Sequence, residues 1–467
     1  MIRLFRVFIP TGVVALLLSE ILLITLCYLV AAYFVRNEEF FFQFVMYLTD
    51  ENGLLRTGFV VLSIVISLHL IDLYTEIKVK SRLRLLQDVC QVIGVALLTQ
   101  GLIAYAAPSF RLGRQVMIAG SMLSLVSLFG WRLLYSSYVL QVVGGQRILF
   151  VGANPVIAQI AAHIDGHQEL GMTVTGYVID DDACASDLGN APRLGSIDQL
   201  REVAERVRPD RIVIGLTERR TRLPMHDLLE LRFAGFFIEE AGSCYETVCS
   251  RICTKELRPS QLVFSSELGP RPGNVAFQNV VNYSVAVAGV LLTLPLMALV
   301  ALGVKLTSPG PILYRQTRVG RNGVLFTVYK FRSMRVDAEA VTGAVWASKD
   351  DPRATPLGRF LRSVRLDELP QFFNVLRGEM SLVGPRPERP EFVKTLSERI
   401  PYYRQRHCVK PGITGWAQIN HKYGDSIEDT ITKLEYDLYY IKNISPSLDA
   451  YIIFNTLKTI MLSRGAQ

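Results

Sequence analysis

The chain has 467 residues, half of them hydrophobic, with a formal net charge of +8 and seven cysteines. That length allows two or three domains, and that apolar content points to a membrane protein over an ordinary soluble one. The positive charge suits anionic lipid, nucleic acid or phosphorylated substrates alike; the long apolar segments favour membrane lipid and set nucleic acid aside.

Residues 12–35 are apolar over a length that spans a bilayer, and further spans are expected near 54–71, 88–107 and 115–139. Residues 1–140 therefore read as a membrane α-helical bundle. No small-residue cleavage site follows the first span, so it reads as a retained anchor. Arg3 and Arg6 precede that span, and Lys78, Lys80, Arg82 and Arg84 fill the second loop. The first loop instead carries Glu38, Glu39, Asp50 and Glu51 against Arg36. By the positive-inside rule the N-terminus, the second loop and everything after residue 140 face the cytoplasm. Glu20, inside the first span, either marks a functional site or faces a neighbouring helix. No partner for it is visible, and the structural role is preferred.

From 146 to 253 the texture is soluble α/β. Short apolar strands start at Arg147, Val174, Arg211 and Phe236, with helical patterns between them, which implies a parallel sheet with covering helices. The turn Gly152-Ala153-Asn154-Pro155 lacks the later glycines of a dinucleotide fingerprint, and Pro155 removes an N–H. A structural or dimerising role is expected over nucleotide binding. His163 and His167 stand i, i+4 without a carboxylate and read as a solvated face. Cys244, Cys249 and Cys253 lack zinc-site spacing and read as reduced, buried thiols.

Residues 254–279 form a polar, proline-bearing linker. An uncharged apolar segment follows at 285–304, with Pro295 near its middle. Its length permits a full crossing, but proline breaks the helical ladder and both flanks are basic. A helix over 280–306 that enters one leaflet and turns back near Leu294-Pro295 is expected. The remainder, to 467, is basic and α/β-looking. Helices are expected over 356–373, with Asp367 and Glu368 inside, and over 391–406. An amphipathic helix over 448–462 lies on the membrane or packs on the core.

Asp367 and Glu368 stand among Arg359, Arg362, Arg365, Arg377 and Arg386. Adjacent helical residues point about 100° apart, which suits divided labour between two carboxylates. One attacks phosphorus while its neighbour positions a metal or a proton. Such a target needs Mg²⁺ and a cationic clamp, for which Arg318, Lys330, Arg332, Arg362 and Arg386 are candidates. The plain alternative is a set of surface salt bridges.

The region from about 275 onward resembles the bacterial sugar transferases, the monotopic phosphoglycosyl transferases. Matching motifs include Gln316-Thr317-Arg318-Val319-Gly320, Tyr329-Lys330-Phe331-Arg332-Ser333-Met334 and Arg365-Leu366-Asp367-Glu368-Leu369-Pro370-Gln371. They continue through Val383-Gly384-Pro385-Arg386-Pro387, Lys410-Pro411-Gly412-Ile413-Thr414-Gly415-Trp416 and Asp437-Leu438-Tyr439-Tyr440. The whole chain is similar to the large subgroup, with four spans, a degenerate Rossmann-like domain, and a mostly helical α/β monotopic transferase domain over 280–467.

The resemblance implies that Asp367 is the nucleophile and associates with Mg²⁺, with Glu368 its partner. It places Lys330, Arg362 and Arg386 at the active site. It implies transfer of a hexose-1-phosphate from a UDP-sugar, glucose or galactose by subgroup, to polyprenyl phosphate, with UMP released. The location would be the bacterial inner membrane, and a homodimer is compatible with it. In the family the re-entrant helix breaks at Ser-Pro; here Leu294 precedes Pro295, and Thr293 is the nearest hydroxyl. Two rival readings are a non-catalytic membrane scaffold, opposed by the intact Asp367-Glu368 pair, and an NAD-dependent nucleotide-sugar enzyme, opposed by the broken glycine fingerprint.

Overall fold

In the computed structural model, the structure describes residues 7–36, 52–74, 81–139, 145–167, 170–180, 191–215, 224–255, 272–336, 351–421 and 426–461, with a few isolated positions besides. Most of the 254–279 linker, the acidic first loop and Lys78 and Lys80 lie outside the described residues. The chain divides into two compact units with the main boundary between Ala241 and Gly242.

The first unit begins with four apolar helices: α1 (Thr11–Arg36), α2 (Gly53–Leu70), α3 (Arg82–Ala106) and α4 (Arg114–Leu134). Each is long and apolar enough to cross a membrane. α3 starts six residues before the expected 88, because Ser81 accepts a hydrogen bond from the Arg84 N–H and so caps the helix. α1 and α4 approach closely at Gly120, where a Cβ would lie 2.5 Å from the Tyr28 ring. Ile24, Tyr28, Ile64, Val89, Val92 and Leu128 fill the bundle. Burying each such side chain contributes roughly 1.5–3 kcal/mol.

The partner that sequence did not reveal for Glu20 is Arg132 of α4. Its Nε lies 2.7 Å from Glu20 Oε1 and its Nη2 donates to Oε2 at 3.1 Å. Arg132 Nη1 also donates to the Leu73 carbonyl at 2.7 Å. The guanidinium faces both carboxylate oxygens, with a hydrogen bond to Oε2 and a close charge contact to Oε1.

Next comes a five-stranded parallel sheet: β1 (Gln146–Val151), β2 (Met172–Val178), β3 (Arg193–Gly195), β4 (Arg211–Ile214) and β5 (Phe237–Glu240). Its order is β3-β2-β1-β4-β5, the doubly wound arrangement. Helices α5 (Pro155–Gly166), α6 (Leu200–Val207) and α7 (Met225–Phe233) connect the strands. At the turn after β1, Asn154 Oδ1 accepts from the Ile157 N–H at 2.8 Å, so the helix caps itself. His163 and His167 stack at 4.1 Å on the solvent side of α5.

The second unit opens with α8 (Ala241–Cys249), which carries Cys244 and Cys249 as buried cysteines outside any disulfide. The segment 242–253 thus packs with the C-terminal unit. Tyr245 OH donates to Glu435 Oε2 at 2.9 Å, and Lys442 Nζ lies 2.8 Å from Glu246 Oε2. Helix α9 (Pro272–Thr307) then runs for 36 residues, through Pro295. It is also long and apolar enough to cross a membrane. Proline leaves the Leu291 carbonyl without its helical donor. One turn away, Thr293 Oγ1 donates to the Gly289 carbonyl at 2.6 Å.

The hairpin β6 (Leu313–Val319) and β7 (Leu325–Phe331) is antiparallel, with Tyr314 opposite Lys330. Met297, Val300 and Val304 of α9 pack on Phe331 and on Leu361 of α10 (Pro356–Ser363). The expected helix over 356–373 is not continuous. Val364 leaves the helix, Arg365 takes φ +56, and Leu366–Glu368 form a 3₁₀ turn before α11 (Gln371–Leu376). The expected helix over 391–406 also splits, into α12 (Pro390–Arg399) and a 3₁₀ segment at Tyr403–Cys408.

Strands β8 (Ser381–Val383) and β9 (Gly412–Thr414) pair in parallel. Their crossing needs glycine, since a Cβ on Gly412 would sit 2.1 Å from the Gly384 nitrogen. Helices α13 (Ile427–Asn443) and α14 (Pro446–Met461) complete the unit. Leu448 and Ile452 of α14 are buried in the core, while Phe454 and Leu457 remain exposed on its other side.

Candidate active site

The 3₁₀ turn puts Asp367 and Glu368 in different surroundings. A left-handed conformation at the non-glycine Arg365 is uncommon, and such strain concentrates at functional turns. Asp367 is buried yet lines a groove of about 1100 Å³. It makes no hydrogen bond or ion pair among the described residues. Glu368 is paired twice through one oxygen: its Oε1 accepts from Lys330 Nζ at 2.7 Å and from Arg386 Nη2 at 2.9 Å.

The electrostatics follow. Burial raises the Asp367 carboxyl, the Glu368 anion raises it further, and Lys330, Arg362 and Arg386 pull against them, so it stays above the ordinary range. Burial also raises Glu368, but there Lys330 and Arg386 win and hold it well below the ordinary range. Two carboxylates, one ionised by its partners and one left open, are separated in role by environment.

The fold delivers the remaining groups from separate elements. Lys330 is next to last in β7, and Arg362 lies in the last turn of α10. Arg386 follows β8. Arg318, on β6, donates to the Pro387 carbonyl at 3.0 Å, to Glu388 at 3.3 Å and to Gln316 at 2.9 Å. All four line the groove with Asp367. Arg332 borders it as well, but its guanidinium binds the Ser308 and Pro309 carbonyls at 2.7 and 2.9 Å. It therefore caps the end of α9, where free carbonyls attract a cation. Pro295 is not among the groove's lining residues; it lies inside α9.

Two groove residues escaped the sequence reading as site groups. Arg406 is buried, with Nε and Nη2 at 3.0 and 2.7 Å from Asp437 Oδ2. Its Nη2 also donates to the Arg386 carbonyl at 3.0 Å. This pair fixes the backbone of the residue that holds Glu368. Asp437 sat in a quoted motif, but nothing local tied it to Arg406, 31 residues away.

A metal fits this site modestly. Among the described residues no three His, Cys, Asp or Glu side chains converge. Mg²⁺ commonly takes one or two carboxylates, with water and substrate phosphates supplying the rest. Asp367, with both oxygens unbonded, meets that requirement.

The family model for bacterial sugar transferases matches residues 273–463, and one for a CoA-binding domain matches residues 69–229. The chain is 45% identical over 222 residues to a UDP-N-acetylgalactosamine-undecaprenyl-phosphate N-acetylgalactosaminephosphotransferase of Aeromonas hydrophila. That match covers 48% of this chain and 52% of the relative, so the chain spans about half of that relative's length. It is 34% identical over 366 residues to a UDP-glucose:undecaprenyl-phosphate glucose-1-phosphate transferase of Xanthomonas campestris pv. campestris, covering 73% of each. A protein of the same name from Klebsiella pneumoniae is 35% identical over 328 residues, 69% of each. With similarity running through more than two thirds of both chains, this protein belongs to the bacterial sugar transferases, in their polyprenyl-phosphate hexose-1-phosphate transferase branch.

Proposed function

We propose that the chain transfers a hexose-1-phosphate from a UDP-sugar to undecaprenyl phosphate, starting a lipid-linked glycan for exopolysaccharide, capsule or O-antigen. The observation that carries the mechanism is the contrast between unpartnered Asp367 and doubly paired Glu368. A carboxylate oxygen of Asp367 attacks the phosphorus attached to the sugar. The bond from that phosphorus to the bridging oxygen breaks, and UMP leaves with the oxygen. An oxygen of polyprenyl phosphate then attacks the aspartyl phosphosugar, giving polyprenyl-diphosphate-sugar and regenerating Asp367. Glu368 holds Lys330 and Arg386 in place, and Arg362 and Arg318 supply further positive charge for the diphosphate. Mg²⁺ bound at Asp367 would neutralise phosphate charge.

The reaction joins a water-borne donor to a membrane-borne acceptor, so the groove belongs at the cytoplasmic face of the inner membrane. Helix α9 supports a re-entrant insertion. It is one continuous helix through Pro295, without the turn-back expected at Leu294-Pro295, so the re-entrant reading rests on where its ends pack. Both of its ends pack on the same body. Asn274, near its start, donates to the Ile444 carbonyl, and Val304, near its end, packs with Phe331 and Leu361. A crossing helix would carry those ends to opposite sides of the bilayer.

The test uses purified full-length protein with labelled UDP-sugars, Mg²⁺ and undecaprenyl phosphate. The expected result is UMP and a labelled lipid product, both lost in Asp367→Asn. Full transfer by Asp367→Asn would overturn the nucleophile assignment. The named relatives act on glucose and N-acetylgalactosamine donors, so a panel containing both, with galactose, identifies the sugar. A reporter fused at the C-terminus should read cytoplasmic; a periplasmic signal would sink the re-entrant geometry.

A further inference from the structure

The N-terminal half of α9 carries three amides at i, i+4 and i+8, which places them on one helix face. They are Asn274, Gln278 and Asn282, and all three are spent on the body of the same unit. Asn274 Nδ2 donates to the Ile444 carbonyl at 2.9 Å, where α13 meets α14. Gln278 Nε2 donates to Tyr440 OH at 2.9 Å and to Asp449 Oδ2 at 2.8 Å. Asn282 Nδ2 donates to Ser381 Oγ at 2.8 Å, and its Oδ1 accepts from the Leu382 N–H at 3.1 Å. The rest of α9 exposes Phe277, Tyr283, Leu291, Leu292, Leu299 and Leu306, a lipid-compatible surface.

The middle rung is the most constrained. Tyr440 OH accepts from Gln278, donates to Asp449 Oδ1 at 2.8 Å and stands 3.2 Å from the Val383 carbonyl. The Asp449 carboxylate has only neutral donors here, Tyr440 and Gln278. A closed network of this type fixes one geometry, since every member loses a partner if one moves. Val383 ends the strand that leads to Arg386. Arg386, however, is held a second time, by Arg406 on its carbonyl and by Glu368 on its guanidinium. Loss of the rung would therefore leave the donor side of the groove in place and free the membrane helix to roll against it.

We infer that Gln278, Tyr440 and Asp449 are positioning residues that fix the membrane helix against the groove, so that Asp367 meets the phosphate of a lipid-embedded acceptor. This rests on the transferase reading above. It separates the two half-reactions. Displacements near 1 Å cost about 100-fold when two reactants must align, and only the second half-reaction depends on where the lipid surface lies.

The experiment uses full-length protein in lipid nanodiscs. UMP released in one turnover without acceptor reports the first half. Transfer to undecaprenyl phosphate in the bilayer, and to a short-chain, water-dispersed polyprenyl phosphate, reports the second. Gln278→Leu and Tyr440→Phe are expected to release UMP within about twofold of wild type and to lose at least about tenfold in transfer to the embedded acceptor. The short-chain acceptor should be nearly spared, and Asp449→Asn, which keeps an oxygen for Tyr440 but turns an N–H toward Gln278, should lose embedded-acceptor transfer in the same pattern but by less. Equal losses in UMP release and both transfers, no loss in any, or failure of both main variants to fold would overturn the inference. Wild-type protein that released no UMP would instead overturn the transferase reading itself.

Discussion

Lys330 Nζ sits 2.7 Å from Glu368 Oε1, across 38 residues of chain, and this contact leaves the adjacent Asp367 as the open carboxylate of the pair. Glu368→Gln keeps the shape but removes the charge that Lys330 and Arg386 were placed to meet. Breaking one side of a buried charged cluster commonly costs about 3–5 kcal/mol. UMP release should fall about 100-fold or more, with the larger share in kcat. Asp367→Asn should abolish it, and isolation of a labelled phosphosugar-protein from wild type but not from this variant checks the assignment.

In the proposed mechanism Asp367 attacks as the carboxylate, and burial followed by the Glu368 anion raises its pKa to about 6. UMP release at low donor concentration should be level above about pH 7 and fall about tenfold per unit below about 6. For stability the sign is opposite. The folded state holds this proton more tightly than the unfolded chain, so the stabilisation is complete below the unfolded value and is lost as pH rises through about 6. Asp367→Asn should therefore melt a few degrees higher than wild type at pH 8, while inactive. A lower melting point would contradict the environment assigned to this carboxyl.

Glu20 and Arg132 form a fork inside the first bundle. Glu20→Leu strands a buried guanidinium and should cost about 3–5 kcal/mol, whereas adding Arg132→Leu should recover most of it. Thermal unfolding in detergent of both singles and the double closes the cycle. Additive losses would mean that the two side chains do not interact.

Gly358 lies where a Cβ would come within 1.9 Å of the Ser333 carbonyl oxygen and 2.6 Å of its carbonyl carbon. Gly358→Ala should push α10 off β7, cost at least about 1–3 kcal/mol, and displace Arg362. Lower donor affinity together with a lower melting temperature is the expected pattern. An unchanged KM for the UDP-sugar would exclude this route to the groove.

The apolar helices were legible in the sequence because length and composition suffice to mark them; their ends were less so, since Ser81 starts α3 six residues early, α4 stops at Leu134 and α9 begins at Pro272. The parallel order of the middle sheet was legible as a class, since buried strands alternating with helices leave few other solutions. Glu20 was visible, but its partner is 112 residues away and carries no pattern of its own. The same limit hid Arg406 and Asp437 as a pair.

The active-site segment shows the division most clearly. Composition placed two acids among arginines and lysines, and the ordered motifs singled them out by resemblance. The sequence also suggested a continuous helix there, over 356–373. Tertiary packing decided otherwise: α10 docks against the β7 end and α11 against α9, and the chain between them turns at Arg365. Helical propensity is worth tenths of a kcal/mol per residue, and packing and ion pairing outweigh it. That turn buries Glu368 against Lys330 and Arg386 and leaves Asp367 facing the groove, a distinction between neighbouring carboxylates that only groups distant in sequence can create.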